Sequence, residues 1–105
     1  MLSFLIKVRP KIKVSNQLVG SSIGSNVQFE CRAEASPPPL TSWIRYDSET
    51  LISSDKYLIE EENDAYRTKM KLKIHNLDEK DFGTYKCVVR NSIGTKEGLV
   101  RLYGK

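Results

Sequence analysis

The stretch Asp81-Phe82-Gly83-Thr84-Tyr85-Lys86-Cys87 decides how the rest of the chain is read. Its cysteine has one partner available, Cys31, and the single tryptophan, Trp43, follows Cys31 by twelve residues. Two antiparallel sheets packed face to face are held through their shared core by a disulfide backed by an indole ring. Tyr85, two residues before Cys87, can turn its ring inward while its hydroxyl bonds back to the turn before it. The fold class is therefore all-β: a two-sheet Greek-key sandwich with one inter-sheet disulfide, Cys31 to Cys87. Trp43, Leu77, Asp81, Gly83 and Tyr85 form its core signature.

Working outward, Ile6, Val8, Pro10, Ile12 and Val14 alternate with Lys7, Arg9, Lys11 and Lys13, the period of a half-buried strand. Pro10 cannot donate a ladder hydrogen bond, which places this strand at a sheet edge. After Asn16-Gln17, residues Leu18 to Ile23 are expected to join the second sheet, ending in a turn at Gly24-Ser25-Asn26. A strand over Asn26 to Ala33 puts Val27, Phe29, Cys31 and Ala33 on one face. Pro37-Pro38-Pro39 makes a stiff loop. Leu40 is out of phase with Trp43, which calls for a bulge between them or for Leu40 packing from the loop. Leu51-Ile52 reads as a short edge strand and Lys56 to Glu61 as the next strand.

Glu60 to Asp64 reads as a solvated acidic turn, without the spacing of a calcium loop. The most regular strand follows: Tyr66, Thr68, Met70, Leu72 and Ile74 inward, Arg67, Lys69, Lys71, Lys73 and His75 outward. Asn76 to Asp81 crosses between the sheets, with Leu77 plugging the core and Asp81 accepting backbone or cationic hydrogen bonds. Gly83 to Asn91 is the strand of Tyr85 and Cys87. Asn91-Ser92-Ile93-Gly94 is a hairpin turn suited to positive φ. The closing strand has Gly98, Val100 and Leu102 inward. Residues 1–9 read as a linker or leader and 10–104 as the single folded domain, so that the chain resembles an excised domain.

The chain of 105 residues suffices for one hydrophobic core. Its cysteines are either bonded or two buried thiols; the Trp and Tyr around them favour the bond, and with it an oxidising compartment. Of seventeen basic residues, four lie in the first fourteen positions, which hold no acid; thirteen remain against thirteen acids. The positive balance is thus one alternating segment rather than a patch for nucleic acid. No apolar run is long enough to span a bilayer, so membrane contact is expected only through a longer parent chain.

No constellation for catalysis is assembled. The one histidine, His75, falls on an outer strand face, and both cysteines are committed to the core. Four close-spaced Cys/His ligands for zinc and a Gly-rich phosphate loop are both missing, so neither enzyme, cofactor nor metal is expected. Surface recognition remains. One candidate surface is the tip formed by Pro37, Pro38, Pro39, Asn91 and Ile93. The other is the row Lys69, Lys71 and Lys73, a heparin-like polyanion site in one reading and an ordinary solvent face, neutralised by the acidic turn, in the other.

Further residues carry a family likeness. The Asp-x-Gly-x-Tyr-x-Cys frame with Cys31 and Trp43 is that of an immunoglobulin-type domain. Gln17-Leu18-Val19-Gly20, Gly24-Ser25-Asn26-Val27, Glu34-Ala35-Ser36-Pro37, Tyr66-Arg67-Thr68-Lys69-Met70 and Arg90-Asn91-Ser92-Ile93-Gly94 sharpen it. Together they resemble the third, membrane-proximal immunoglobulin domain of the insect lachesin and Dpr-interacting-protein group, related to vertebrate IgLON proteins. The resemblance implies an I-set arrangement, with the first strand split between sheets and no extra strand after the short edge strand. It also implies part of a lipid-anchored neuronal adhesion receptor at the cell surface, where this domain acts as a spacer or weak self-association surface. Its partners would be other cell-surface proteins or neighbouring domains. Two alternatives stand: an intracellular structural repeat of the muscle giant-protein kind, and a polyanion-binding domain using Lys69, Lys71 and Lys73 or the basic residues of the first fourteen positions.

Overall fold

A computed structural model describes residues 6–46 and 49–105. Nine strands follow in chain order: β1 (Val8–Val14), β2 (Leu18–Ser21), β3 (Val27–Ser36), β4 (Leu40–Arg45), β5 (Glu49–Thr50), β6 (Tyr57–Asp64), β7 (Arg67–Ile74), β8 (Gly83–Arg90) and β9 (Thr95–Gly104). A 3₁₀ turn, Glu79–Asp81, precedes β8. One sheet has the order β1-β3-β7-β6, the other β2-β9-β8-β4-β5. The first strand is split as expected: β1 pairs antiparallel with β3, and β2 runs parallel to β9 in the opposite sheet. The expected leader falls largely on residues 1–5, outside the described residues, but β1 starts at Val8 and not at Pro10.

Alternation fills the core. Phe29, Cys31, Ala33 and Ala35 from β3 meet Met70, Leu72 and Ile74 from β7, and Trp43, Tyr85, Cys87, Val89, Val100 and Leu102 close from the other sheet. The bond between Cys31 and Cys87 joins two cross-strand rows: Val14, Cys31 and Met70 on one side, Gly98, Cys87 and Trp43 on the other. Phe29 lies against both large rings, with centroids 6.4 Å from Trp43 and 5.4 Å from Tyr85. Tilted pairs at these separations suit the ring quadrupoles.

Several expectations are corrected. The strand of Cys31 runs on to Ser36, and β2 stops at Ser21, short of Ile23. Leu40 neither bulges nor packs: β4 keeps an unbroken register with β8, and odd-numbered Thr41, Trp43 and Arg45 point inward, which leaves Leu40 70% exposed. The short edge strand is Glu49–Thr50, not Leu51-Ile52. Leu51 donates its N–H to the Trp43 carbonyl and turns into the core, while Ile52 faces solvent.

The acidic turn is also not a turn. Glu60 to Asp64 continues β6 in register with β7 as far as Asp64 opposite Arg67, because lysines on β7 face glutamates on β6 and opposite charges stabilise such pairs. The chain reverses instead at Ala65 (φ 55°) and Tyr66. Tyr66 is therefore partly exposed in the turn and not inward. Glu61 shares the inward face of β6 but reaches the open flank, where it accepts from Thr41 of β4 and from Asn63. An inward-turned charge on an edge strand discourages pairing with a second chain.

Gly98 has a steric reason to lack a side chain. A Cβ there would lie 2.6 Å from Val14 Cγ2 and 2.9 Å from both Cys87 Sγ and Ile12 Cγ2. We expect Gly98→Ala to force β1 away from the disulfide and to cost about 1–3 kcal/mol, as overpacking does. Urea unfolding should show a lower midpoint at unchanged slope; an unchanged midpoint would contradict the packing described.

Candidate functional site

The two ends of the sandwich are built differently. At the end where β1 enters, Asn91 organises the tip. Its side-chain oxygen accepts from the N–H groups of Ile93 (2.9 Å) and Gly94 (3.2 Å), making the turn close on itself. Its side-chain nitrogen donates to the carbonyls of Val8 and Pro37, each at 3.2 Å. Arg9 donates to the Ile93 carbonyl at 3.3 Å. The proline loop, the Asn91–Gly94 turn and the start of β1 are thus tied at one pole by a single amide. This turn uses an Asx geometry. The positive φ expected for Asn91 and Gly94 is not adopted; it occurs instead at Gly24, Ala65, Asn76 and Gly83.

At the opposite pole Asp81 is the centre. It is 2% exposed, accepts from the Asp78 N–H at 2.8 Å and lies 2.6 Å from Lys56 Nζ and 3.8 Å from an Arg45 guanidinium nitrogen. Asp78 accepts in return from the Glu79 N–H, so the 3₁₀ turn is capped by two aspartates. Arg45 also donates to the carbonyls of Lys80 and Phe82 and sits 5.4 Å from the Tyr85 ring centroid. Tyr85 is fully buried, and its hydroxyl donates to the Asp81 carbonyl at 2.5 Å. Leu77 is 1% exposed beneath this turn, and its backbone bonds to Gly24 and Ser25. Gly83 takes φ 141°, a value that L side chains rarely adopt. Arg45 and Lys56 were not anticipated from the sequence; Arg45 shares the inward phase of Trp43, which is the signal that could have placed it beside Asp81.

The lysine row of β7 lies on the outer face of the four-stranded sheet and is partly neutralised. Lys69 and Lys71 stand 3.8 and 3.9 Å from Glu62, whereas Lys73 stands between Gln28 and Leu58 in register, with no acid opposite. Glu30, on the neighbouring strand, has its carboxyl held below the usual range chiefly by the hydrogen bond from Arg32, with Lys69 and Lys71 adding to the effect against partial desolvation. His75 follows β7 and bonds through its backbone to Lys56. Among the described residues, no three His, Cys, Asp or Glu side chains gather as a metal would need, and no helix is long and apolar enough to cross a membrane.

The two-sheet sandwich, its Cys31–Cys87 bond, the buried Trp43 and the Tyr85 hydroxyl bonded back to the turn before it define an immunoglobulin-type domain. The split first strand narrows this further, and the model of the immunoglobulin I-set domain family matches residues 10–103: the chain belongs to that family. It is 32% identical to basigin of Cricetulus griseus over 95% of this chain and 42% of that protein. It is 28% identical to lachesin of Drosophila melanogaster over 93% of this chain and 27% of that protein. A solved structure of Dpr2 Ig1-Ig2 in complex with DIP-Theta Ig1-Ig3 superposes with a TM-score of 0.91 at 32% identity, covering 94% of this chain and 33% of the matched one. The twitchin kinase region of C. elegans superposes with a TM-score of 0.74 at 32% identity, over 91% of this chain and 16% of that one. The chain therefore spans less than half the length of these relatives.

Burial pushes the Tyr85 phenol well above its ordinary value, with Arg45 opposing and the charges of Tyr57 and Asp81 adding. A raised value in the folded state means full stabilisation below pH about 10, where the unfolded tyrosine is also neutral, and a loss as pH rises beyond it. We expect unfolding free energy to fall above pH about 10 and the Tyr85→Phe variant to lose that part of the decline. At neutral pH the same variant should be about 1–3 kcal/mol less stable, because the Asp81 carbonyl is left without its donor. Chemical denaturation across pH checks both; an identical alkaline slope in the variant would contradict the assignment.

Proposed function

We propose that this domain is an extracellular segment of a neuronal cell-surface recognition receptor, serving as a spacer and protein–protein contact module. The observation that carries the reading is the buried Cys31–Cys87 bond in a fold that superposes on the complex of Dpr2 with DIP-Theta at 32% identity. Lachesin among the relatives agrees with the likeness in the residues, and the name of another relative, 30% identical, includes a transmembrane domain. A lipid anchor and the third, membrane-proximal position are implied by the same likeness and belong to the longer parent chain.

The layout supports a spacer. The chain enters beside Val8, Pro37 and Asn91 and leaves where Lys105 bonds to Ser21 and Gly104 packs on Phe82, at the other end of a body 47 × 21 × 20 Å. The tip residues Pro37, Pro38, Pro39, Asn91 and Ile93 would meet whatever precedes the domain or a partner at that pole. Weak association with a second copy is compatible with the same surface. No catalytic role is assigned to it.

A second reading has its own support, since the twitchin region is 32% identical and titin domains I67-I69 superpose with a TM-score of 0.79 at 29% identity. In that reading the domain is an intracellular structural repeat. The two separate on redox behaviour. Protein secreted from eukaryotic cells should show no free thiol by mass spectrometry, and reduction should cost about 4 kcal/mol for a loop of this length. Two free thiols, or stability indifferent to reductant, would favour the structural repeat.

A further inference from the structure

We propose that the outer face of the β1-β3-β7-β6 sheet holds a binding site for a sulfated polysaccharide, centred on Lys13, Arg32 and Lys69. Strand register carries the proposal. Lys13 lies opposite Arg32, and Arg32 opposite Lys69, so three cations stand side by side across three neighbouring strands, with Glu62 of β6 ending the row opposite Lys69. The adjoining rows are arranged otherwise: Lys11, Glu34, Arg67 and Asp64 alternate in sign, as do Glu30, Lys71 and Glu60. Like charges directly opposite each other destabilise a sheet. One row of this face therefore departs from an otherwise complementary pattern, and an anion laid across it would relieve the repulsion.

The partners of these cations are incomplete. Arg32 is paired with Glu30 at 2.9 Å and Lys69 with Glu62 at 3.8 Å, but Lys11 and Lys13 have no ion pair among the described residues. The row crosses an open groove of about 700 Å³ whose lining includes Lys13, Arg32 and Lys69. Strand spacing of about 4.8 Å sets the three cations along a line of roughly 10 Å, a geometry that matches repeated anionic groups rather than one ion.

The groove's carboxylates select the ligand class. Glu34, Glu62 and Asp64 border the cation row in the same groove. An acidic polypeptide would bring side-chain carboxylates toward them with its donors held back along the backbone, whereas a sulfated sugar brings hydroxyl groups that donate to carboxylates beside sulfates that accept from cations. Lys71 and Lys73, which composition alone would include, do not line this groove. The proposal rests on the extracellular reading only for the presence of such glycans, and its failure would leave the disulfide test above untouched.

The test titrates the intact domain with a heparin-derived octasaccharide at an ionic strength of about 0.15 M. Wild type should bind, and a polyglutamate of matched charge should bind at least tenfold more weakly, the hydroxyl donors being what it lacks. The triple variant Lys13→Gln, Arg32→Gln, Lys69→Gln should lose roughly tenfold to a hundredfold in affinity, the equivalent of three exposed ion pairs. Lys71→Gln with Lys73→Gln should stay within about threefold, both lying off the cation row. Lys13→Glu alone, which sets an acid opposite Arg32, should weaken binding with the melting temperature unchanged or raised, which separates affinity from folding. The proposal is overturned if the octasaccharide does not bind, if polyglutamate binds as well, or if the Lys71/Lys73 variant loses as much as the triple variant.

Discussion

The bond between Cys31 and Cys87 is the constraint on which the other features depend, because it fixes which row of one sheet lies over which row of the other. Once those two rows are joined, Trp43 must fill the space beside Cys87, and Gly98 must leave space on its far side. Val14 and Ile12 can then close over position 98, which brings β1 into contact with the opposite sheet before β2 crosses to it. The split of the first strand is thus tied to a missing side chain on the last one. In physical terms, the covalent link reduces the entropy of the unfolded chain, while the small residue allows the close approach that the link requires.

The poles show a second principle, that a sandwich spends its polar chemistry at its ends. Asn91 uses both ends of its amide to hold three chain segments, and Asp81 uses its carboxylate to hold a turn and two cations. Both are single side chains satisfying several backbone or charged groups that would otherwise be left unpaired as strands end. Between them the sheet faces are free to vary. That is why the residues open to recognition lie on outer faces and tips, while the interior is nearly all apolar.

Much of this fold was legible because alternation, a fixed cysteine frame and turn residues report directly on which side chains face inward. Phe29, Met70, Leu72, Ile74, Tyr85 and Val100 all fall where the period of two puts them. The failures share a cause. Glu60 to Asp64 reads as a turn because acids are poor strand formers in isolation, and only the lysines opposite them on β7 make the strand. Leu40 reads as a core residue because it is apolar, yet phase and not hydrophobicity decides its side. The cation row was illegible for a related reason: Lys13, Arg32 and Lys69 are far apart in the chain, and register alone makes them neighbours.

The parallel pairing of β2 with β9 has a mechanical consequence. The chain enters at one pole and exits at the other, so tension applied through its ends slides these two strands along each other. Their hydrogen bonds lie across the direction of pull and must yield together rather than one after another. A string of such modules, whether between two cells or within a filament, would lengthen abruptly under a threshold load instead of fraying gradually.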